Sequence, residues 1–381
     1  MSPSPEPGSD WRTAALAEQE RALPEGEVAV SCPARAGSGG LGRHLQETLD
    51  ALARRDQRAQ AISEAEIGGA AVSARLVEAA GRISPSWRML LASRSFDRRA
   101  ARRLPPCENL IAFNGTALAQ FEKGARRGTG LHLMSANSHY RQLVARHELA
   151  HRQYPVEAPW APRLLERNLR EYDRAGRILV TSDYMRDSFL EQGVAEERLV
   201  RFPLTPDPRF APAAPPAPPA AGAGSAPGGE PEVFELLYVG SLLVHKGVPL
   251  LLDAFSQLEM PDLRLRLLGG WTTRPMREVV ERAVAGDARI SAGPGDPLTH
   301  LRRARLCVHP TYEDGFAYAP AEALAAGVPV LVSEDTGMKE LIDRGRTGLV
   351  VPTGERDALV EAIAAFYDGR ALRPEAHSAQ G

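Results

Sequence analysis

Twice in this chain a short apolar strand empties into a glycine-bearing loop and then into a helix. The first instance is Glu27 to Cys32, followed by Ala36-Gly37-Ser38-Gly39-Gly40-Leu41-Gly42 and a helix from about Arg43 to Arg55 with Leu45, Leu49 and Leu52 on one face. The second is Phe234 to Val239, followed by Gly240-Ser241-Leu242-Leu243-Val244-His245-Lys246-Gly247 and a helix over Pro249 to Gln257. Such a loop presents unpaired N–H groups at a helix N-terminus, which is how α/β proteins hold phosphates. Between the two lies Ala211 to Pro231, almost all Ala, Pro and Gly. It has little apolar surface to bury and reads as an interdomain linker. A chain of 381 residues is long enough for two cores. The expected organisation is therefore an extension over 1–25, a Rossmann-like domain over 26–210, the linker at 211–231, a second Rossmann-like domain over 232–365, and a tail at 366–381.

The alternation continues between these openings. Trp87 to Ala92, Asn109 to Phe113, Leu131 to Met134, Arg177 to Thr181, Leu199 to Pro203 and Leu263 to Leu268 read as strands or buried segments. Trp11 to Leu23, Pro162 to Ala175 and Ser182 to Gln192 read as helices, the last with a serine cap. A formal net charge of −2 argues against nucleic acid as the main partner. The basic run Arg98 to Arg103 reads as a solvated helix face, the other reading being a weak peripheral contact with anionic lipid or an anionic acceptor. Cys32, Cys107 and Cys307 are odd in number and widely spaced, which suits neither a disulfide framework nor a metal cage. No apolar run approaches the roughly 20 residues of a membrane span, and the polar N-terminus lacks the apolar core of a signal peptide. A cytoplasmic location is expected.

Chemistry concentrates in Leu306 to Gly327. Leu306 to Val308 reads as a buried strand, Glu313-Asp314-Gly315 as an acidic turn, and Pro320 as an early residue of a helix that Gly327 closes. Asp314 and Glu322 are expected on either side of the helix N-terminus. Acids beside an anion site repel the anion, so they suit hydroxyls of the same ligand; phosphates and hydroxyls together describe a sugar nucleotide. Gly37, Gly39 and Gly42 also satisfy G-x-G-x-x-G, the dinucleotide fingerprint. Against that reading, Pro33 to Ala36 separate the first glycine from the strand, and Glu64, the candidate ribose acid, follows a weak strand at Ala61-Ile62-Ser63.

Four segments together resemble the two-domain (GT-B) retaining glycosyltransferases of family 4. Asp314-Gly315-Phe316-Ala317 with Glu322 to Val330 is similar to that family's E-x7-E signature, Gly240-Ser241-Leu242-x3-Lys246-Gly247 to its G-R-L-x3-K-G loop, Gly39-Gly40-x-Gly42-Arg43 to its N-terminal glycine loop, and Glu340 to Pro352 to its E-L-I…G-x-L-V-x-P tail. The resemblance implies an α/β fold of two Rossmann-like domains facing a cleft, and transfer of a hexose from a UDP-, GDP- or similar nucleoside diphosphate sugar to a hydroxyl of a glycan, lipid or small metabolite. It implies no cofactor and no metal, and no Asp-x-Asp motif is present. By the same resemblance Glu322 would hold ribose hydroxyls, Asp314 (or its neighbour Glu313) the donor sugar, Lys246 the diphosphate, and His139 the region of the sugar. The residues Gly315, Phe316, Ala317 and Ser241 would line the donor, with Gly39, Gly40 and Gly42 approaching from the other domain. His132 and His309 read as structural. The chain departs from the family at Asp314 for glutamate, Ser241 for arginine, Ala317 for glycine, Pro320 in the helix and Gly176 for aspartate, and the tail at Gly381 is short. A non-catalytic sugar-nucleotide or partner-binding protein is the alternative.

Overall fold

The structure is a computed structural model that describes residues 11–67, 85–157, 162–211, 233–271 and 273–372. By its internal contacts the chain divides into two units, Met1–Ala145 with Ala158–Thr205, and Arg146–Glu157 with Pro206–Gly381.

The first unit carries a six-stranded, all-parallel sheet of β1 (Val28–Ser31), β2 (Ala59–Ile62), β3 (Asn109–Phe113), β4 (Gly130–Met134), β5 (Arg177–Val180) and β6 (Leu199–Arg201), in the order β2-β1-β3-β4-β5-β6. Helices cover both faces of a parallel sheet, so its central strands are apolar throughout rather than alternating; Leu110, Ile111, Ala112 and Phe113 are all without exposed surface. The strand over Ala59–Ile62 pairs with β1 along its whole length, so the weak sequence signal there belongs to a real strand.

Trp87 to Ala92, expected as a strand, is part of the helix α4, Pro85–Arg103, after α1 (Trp11–Ala22), α2 (Gly39–Arg54) and the short α3 (Glu64–Ile67). The local run Met-Leu-Leu-Ala imitates a strand. Burial of Leu90, Asp97, Ala100 and Leu104, with Ser93 half-buried between the first two, runs at three- to four-residue intervals, the helical period that decides the matter. The basic run lies on the last turns of α4, where Arg98, Arg102 and Arg103 are exposed and Arg99 pairs with Glu64 at 2.5 Å. The following helices of this half are α5 (Leu118–Ala125), α6 (Tyr140–Gln153), α7 (Pro162–Arg174) and α8 (Asp183–Leu190), the last capped by Ser182, whose side chain accepts from the Met185 N–H.

The second unit carries β7 (Phe234–Val239), β8 (Leu263–Leu268), β9 (Ile290–Gly293), β10 (Leu306–His309), β11 (Val330–Ser333) and β12 (Gly348–Val351) in one parallel sheet, ordered β12-β11-β10-β7-β8-β9. Its helices are α9 (Val248–Ser256), α10 (Arg274–Gly286), α11 (Pro297–Leu301), α12 (Tyr318–Ala325) and α13 (Arg356–Tyr367). Numbered within the unit, this is the doubly wound order 3-2-1-4-5-6, whose chain reverses direction across the sheet between β7 and β10.

The domain limits differ from those expected. Arg146 to Glu157, read as part of the first half, packs on the second unit. Ala150 is fully buried in the second core, the Tyr154 hydroxyl donates to Asp253 at 3.0 Å, and the Glu157 carboxylate accepts from the Val244 N–H at 3.3 Å. Residues 206–210 also belong there. Beyond Ala211, the stretch read as a linker lies outside the described residues.

Candidate functional site

In a doubly wound sheet the crevice for ligands opens beyond the carboxyl ends of the two strands at the reversal. In the second unit those are β7 and β10, paired through Leu306–Leu236 and Cys307–Leu237. The loop after β7 carries Lys246 and the loop after β10 carries Asp314. The ammonium of Lys246 lies 2.7 Å from Asp314 Oδ2 and 3.2 Å from the Glu313 carbonyl oxygen. The two side chains are about one-fifth exposed, 20% and 18%. His309 ends β10 and places Nε2 3.4 Å from the same Asp314 oxygen, so it belongs to the site although it read as packing. Burial by itself would raise the Asp314 carboxyl. The Lys246 ammonium, then the hydrogen bond and charge of His309, outweigh it and hold the group well below the usual carboxylate range.

Close backbone approach makes this pairing possible. A Cβ on Gly247 would stand 1.9 Å from the Pro310 carbonyl oxygen, and Gly247 has φ +74. Glycine is therefore required for the β7 loop to press against the β10 loop. The Tyr312 N–H also donates to the His245 carbonyl at 2.9 Å, stitching one loop to the other.

The second acid is placed differently from the expectation. Asp314 precedes α12, but Glu322 is the fifth residue of that helix, 4% exposed, and so does not flank its N-terminus. Its charge, after burial, helps push the Cys307 thiol up to about 12, which sets Glu322 against β10. Glu313, the alternative to Asp314, has no exposed surface, whereas Asp314 keeps part of its carboxylate open. Gly315, Phe316 and Ala317 are buried in the turn that leads into α12, and Ser241 is exposed, its carbonyl accepting from the Tyr238 hydroxyl at 2.9 Å. Ala317 stands at the N-cap with φ 64 and ψ 94, a conformation that glycine adopts freely and alanine does not. At the far end, Gly327 at φ +77 closes the helix, and the Val328 N–H reaches back to the Ala323 carbonyl at 2.8 Å.

Two groups were not legible from sequence. Arg146, from α6, directs Nε at Asp335 Oδ2 at 3.1 Å. The Asp335 carbonyl accepts from the Asp314 N–H at 3.1 Å. His147, the next residue, stacks on His245 with ring centroids 4.0 Å apart, beside Lys246. The sequence reading placed no element over Tyr140–Gln153 and gave no sign of these contacts, because they join positions far apart in the chain.

In the first unit Gly39, Gly40 and Gly42 lie in the first turn of α2 rather than ahead of the helix. Gly37 donates to the Gly42 carbonyl at 2.8 Å, and a Cβ on Gly42 would meet the Arg35 carbonyl oxygen at 2.0 Å. Gly39 and Gly40 are exposed, leaving first-turn N–H groups open as an anion would need. His139 lies in the core of the first unit. It is 4% exposed, its ring lies 4.9 Å from Tyr172 and 5.1 Å from Phe189, and Nδ1 accepts from the Arg141 N–H at 3.3 Å. Burial, then Arg141, pulls its pKa down to about 4, so it is a neutral core ring. Among the described residues no group of three or more His, Cys, Asp or Glu is arranged to hold a metal ion, and no helix is long and apolar enough to cross a membrane.

Two parallel α/β units of these topologies have the GT-B glycosyltransferase fold. Over 91% of this chain and 92% of the other, it superposes on sucrose-phosphate synthase from Thermosynechococcus elongatus with a TM-score of 0.61 at 18% identity. The HepE protein of Anabaena, solved in complex with UDP-glucose, superposes with a TM-score of 0.61 at 16% identity over 92% and 94% of the two chains. Residues 233–368, which carry Lys246, Asp314 and Glu322, match the family of glycosyl transferases group 1. The D-inositol 3-phosphate glycosyltransferase of Pseudarthrobacter chlorophenolicus is 31% identical over 156 residues, 38% of this chain and 37% of that protein. The lipopolysaccharide core biosynthesis mannosyltransferase LpsB of Rhizobium meliloti is 32% identical over 154 residues, 37% of this chain and 43% of its own. The match thus spans less than half of either curated relative.

Proposed function

We propose that the chain is a retaining glycosyltransferase that moves a hexose from a nucleoside diphosphate sugar to an acceptor hydroxyl, without a metal ion. The observation that carries this reading is the meeting of Lys246 and Asp314 at the reversal point of the second sheet. As the bond from the anomeric carbon to the diphosphate breaks, negative charge grows on the leaving oxygen. A fixed ammonium in a partly buried site stabilises that charge more than it stabilises the ground state. Asp314, held ionised, accepts hydrogen bonds from sugar hydroxyls, and the first-turn N–H groups of α12 add donors for the phosphates. Glu322 serves the ribose. With no side chain acting as nucleophile, the acceptor oxygen bonds to the anomeric carbon on the face the diphosphate leaves and passes its proton to the departing phosphate oxygen, retaining configuration.

Supporting this reading, the group 1 match covers the segment that holds the site, and a protein of similar fold binds UDP-glucose. A non-catalytic sugar-nucleotide-binding protein is the second reading, favoured by Ser241 and by the strained Ala317. A panel of UDP- and GDP-sugars, read by thermal shift and by release of nucleoside diphosphate, tests the proposal. Stabilisation with slow donor hydrolysis is expected. Stabilisation with no turnover in the presence of any hydroxyl acceptor points to the binding protein, and no stabilisation by any donor defeats both.

A further inference from the structure

We infer that Arg146 is a second cation of the donor-phosphate site, supplied by α6 from outside residues 233–368, the segment that matches the family. The inference rests on the donor reading above and adds a residue to it.

The guanidinium is held beside the site rather than left to solvent. Arg146 Nε lies 3.1 Å from Asp335 Oδ2, and the Asp335 side chain is only 6% exposed. Asp335 is joined to the catalytic turn by its backbone: its carbonyl accepts from the Asp314 N–H, and the Gly337 N–H donates to the Asp314 carbonyl, both at 3.1 Å. Asp314 in turn binds Lys246. The two cations are thus linked through Asp314 and Asp335, all within the second unit.

The segment behind Arg146 is anchored along its length. His147 stacks on His245, the residue before Lys246. Gln153 accepts from the Tyr312 hydroxyl, Tyr154 donates to Asp253, and Glu157 binds the Val244 N–H and the Thr273 hydroxyl. A side chain on such a strap loses little further freedom when it binds a ligand.

Geometry and charge then favour a phosphate. An arginine has five N–H donors in a planar fork, and its ion pair with Asp335 brings Nε to 3.1 Å from Oδ2. The side chain is 38% exposed, so its guanidinium is open to a ligand. A nucleoside diphosphate brings more negative charge than Lys246 can offset while it is paired with Asp314. Ser241, in the β7 loop, supplies no cation. Arg146 does.

Calorimetric titration of the full-length protein with UDP, GDP and ADP, and with the matching nucleosides, tests this. Whichever diphosphate binds the wild type should bind Arg146→Met at least tenfold more weakly, with Arg146→Lys in between, and the slope of affinity against salt should become shallower. Affinity for the nucleoside should not change; both variants should unfold cooperatively, Arg146→Met at a lower temperature because it leaves the Asp335 carboxylate without its ion pair. Equal diphosphate affinity in folded Arg146→Met overturns the inference while leaving the donor reading intact. Equal losses for nucleoside and diphosphate would make Arg146 a structural residue, also overturning it. A wild type that binds no diphosphate removes the donor reading and the inference together.

Discussion

Ala317 holds the most strained backbone in the site, with φ 64 at the residue that opens α12. For an L-residue with a Cβ the left-handed region costs roughly 1–2 kcal/mol. Ala317→Gly should therefore raise stability by about 1 kcal/mol, partly offset by the greater freedom of the unfolded glycine. Denaturant titration checks this, and a loss of stability would show that the methyl group packs usefully. The sequence alone marked this position, because a local motif with alanine in place of glycine is readable without a structure. It likewise marked Lys246 and Asp314, each inside its own short pattern. Their ion pair was not readable, since 68 positions separate them and only the strand order brings them together. Arg146, Asp335 and the contact of His309 with Asp314 were hidden for the same reason. His139 misled in the opposite direction: its place after a strand suits a site, yet its ring serves the core.

At the scale of elements, the site depends on two loops in contact. Gly247 is the point of closest approach, and any side chain there must displace the Pro310 carbonyl. Gly247→Ala should cost at least about 2 kcal/mol, from the left-handed backbone and the clash combined. It should also weaken nucleotide binding, because Lys246 and Asp314 ride on the two loops being forced apart. Unchanged binding with lowered stability would mean that the loops need not touch for the site to form. Strands were the most legible elements, since parallel strands buried on both faces are apolar runs bounded by glycine and polar residues. The two errors of kind have physical causes. Met89 to Ala92 is too short a window to separate strand from buried helix. In α2 the glycines, poor helix formers, nevertheless occupy the first turn, where Gly39 and Gly40 precede the first intrahelical hydrogen bond and the Gly42 N–H donates to the Ser38 carbonyl at 3.1 Å.

Across the whole molecule, buried histidines set the response to acid. His44 is 2% exposed, packed against Phe113 and Phe202, and burial pulls its pKa down to about 3. His132 and His139 are pulled down to about 4, again chiefly by burial. The unfolded chain takes up protons near pH 6.5 while these folded sites do not, so stability rises with pH between about 3 and 6.5 and is lost as pH falls. At pH 5 each such histidine removes about 2 kcal/mol relative to pH 7. His44→Phe should fall by about that much less between pH 7 and pH 5 than the wild type, measured by denaturant titration at each pH. An identical fall would mean that His44 is protonated in the fold. The α/β class and the pairing of two such units were legible from the repeated strand, glycine loop and helix. Assignment of Arg146–Glu157 to the second unit was not, because local pattern ends at the helix and says nothing of which core it joins.

The central claim is that Lys246, set beside Asp314 at the reversal of the second sheet, acts on a nucleoside diphosphate sugar. Its most direct test is the rate of sugar-nucleotide turnover by Lys246→Ala against the wild type, with the donor that gives the largest thermal shift. A fall in kcat/KM of well over tenfold, at least about 1.4 kcal/mol on the barrier, is predicted for a variant that unfolds like the wild type. An unchanged kcat/KM in a folded variant would contradict the account.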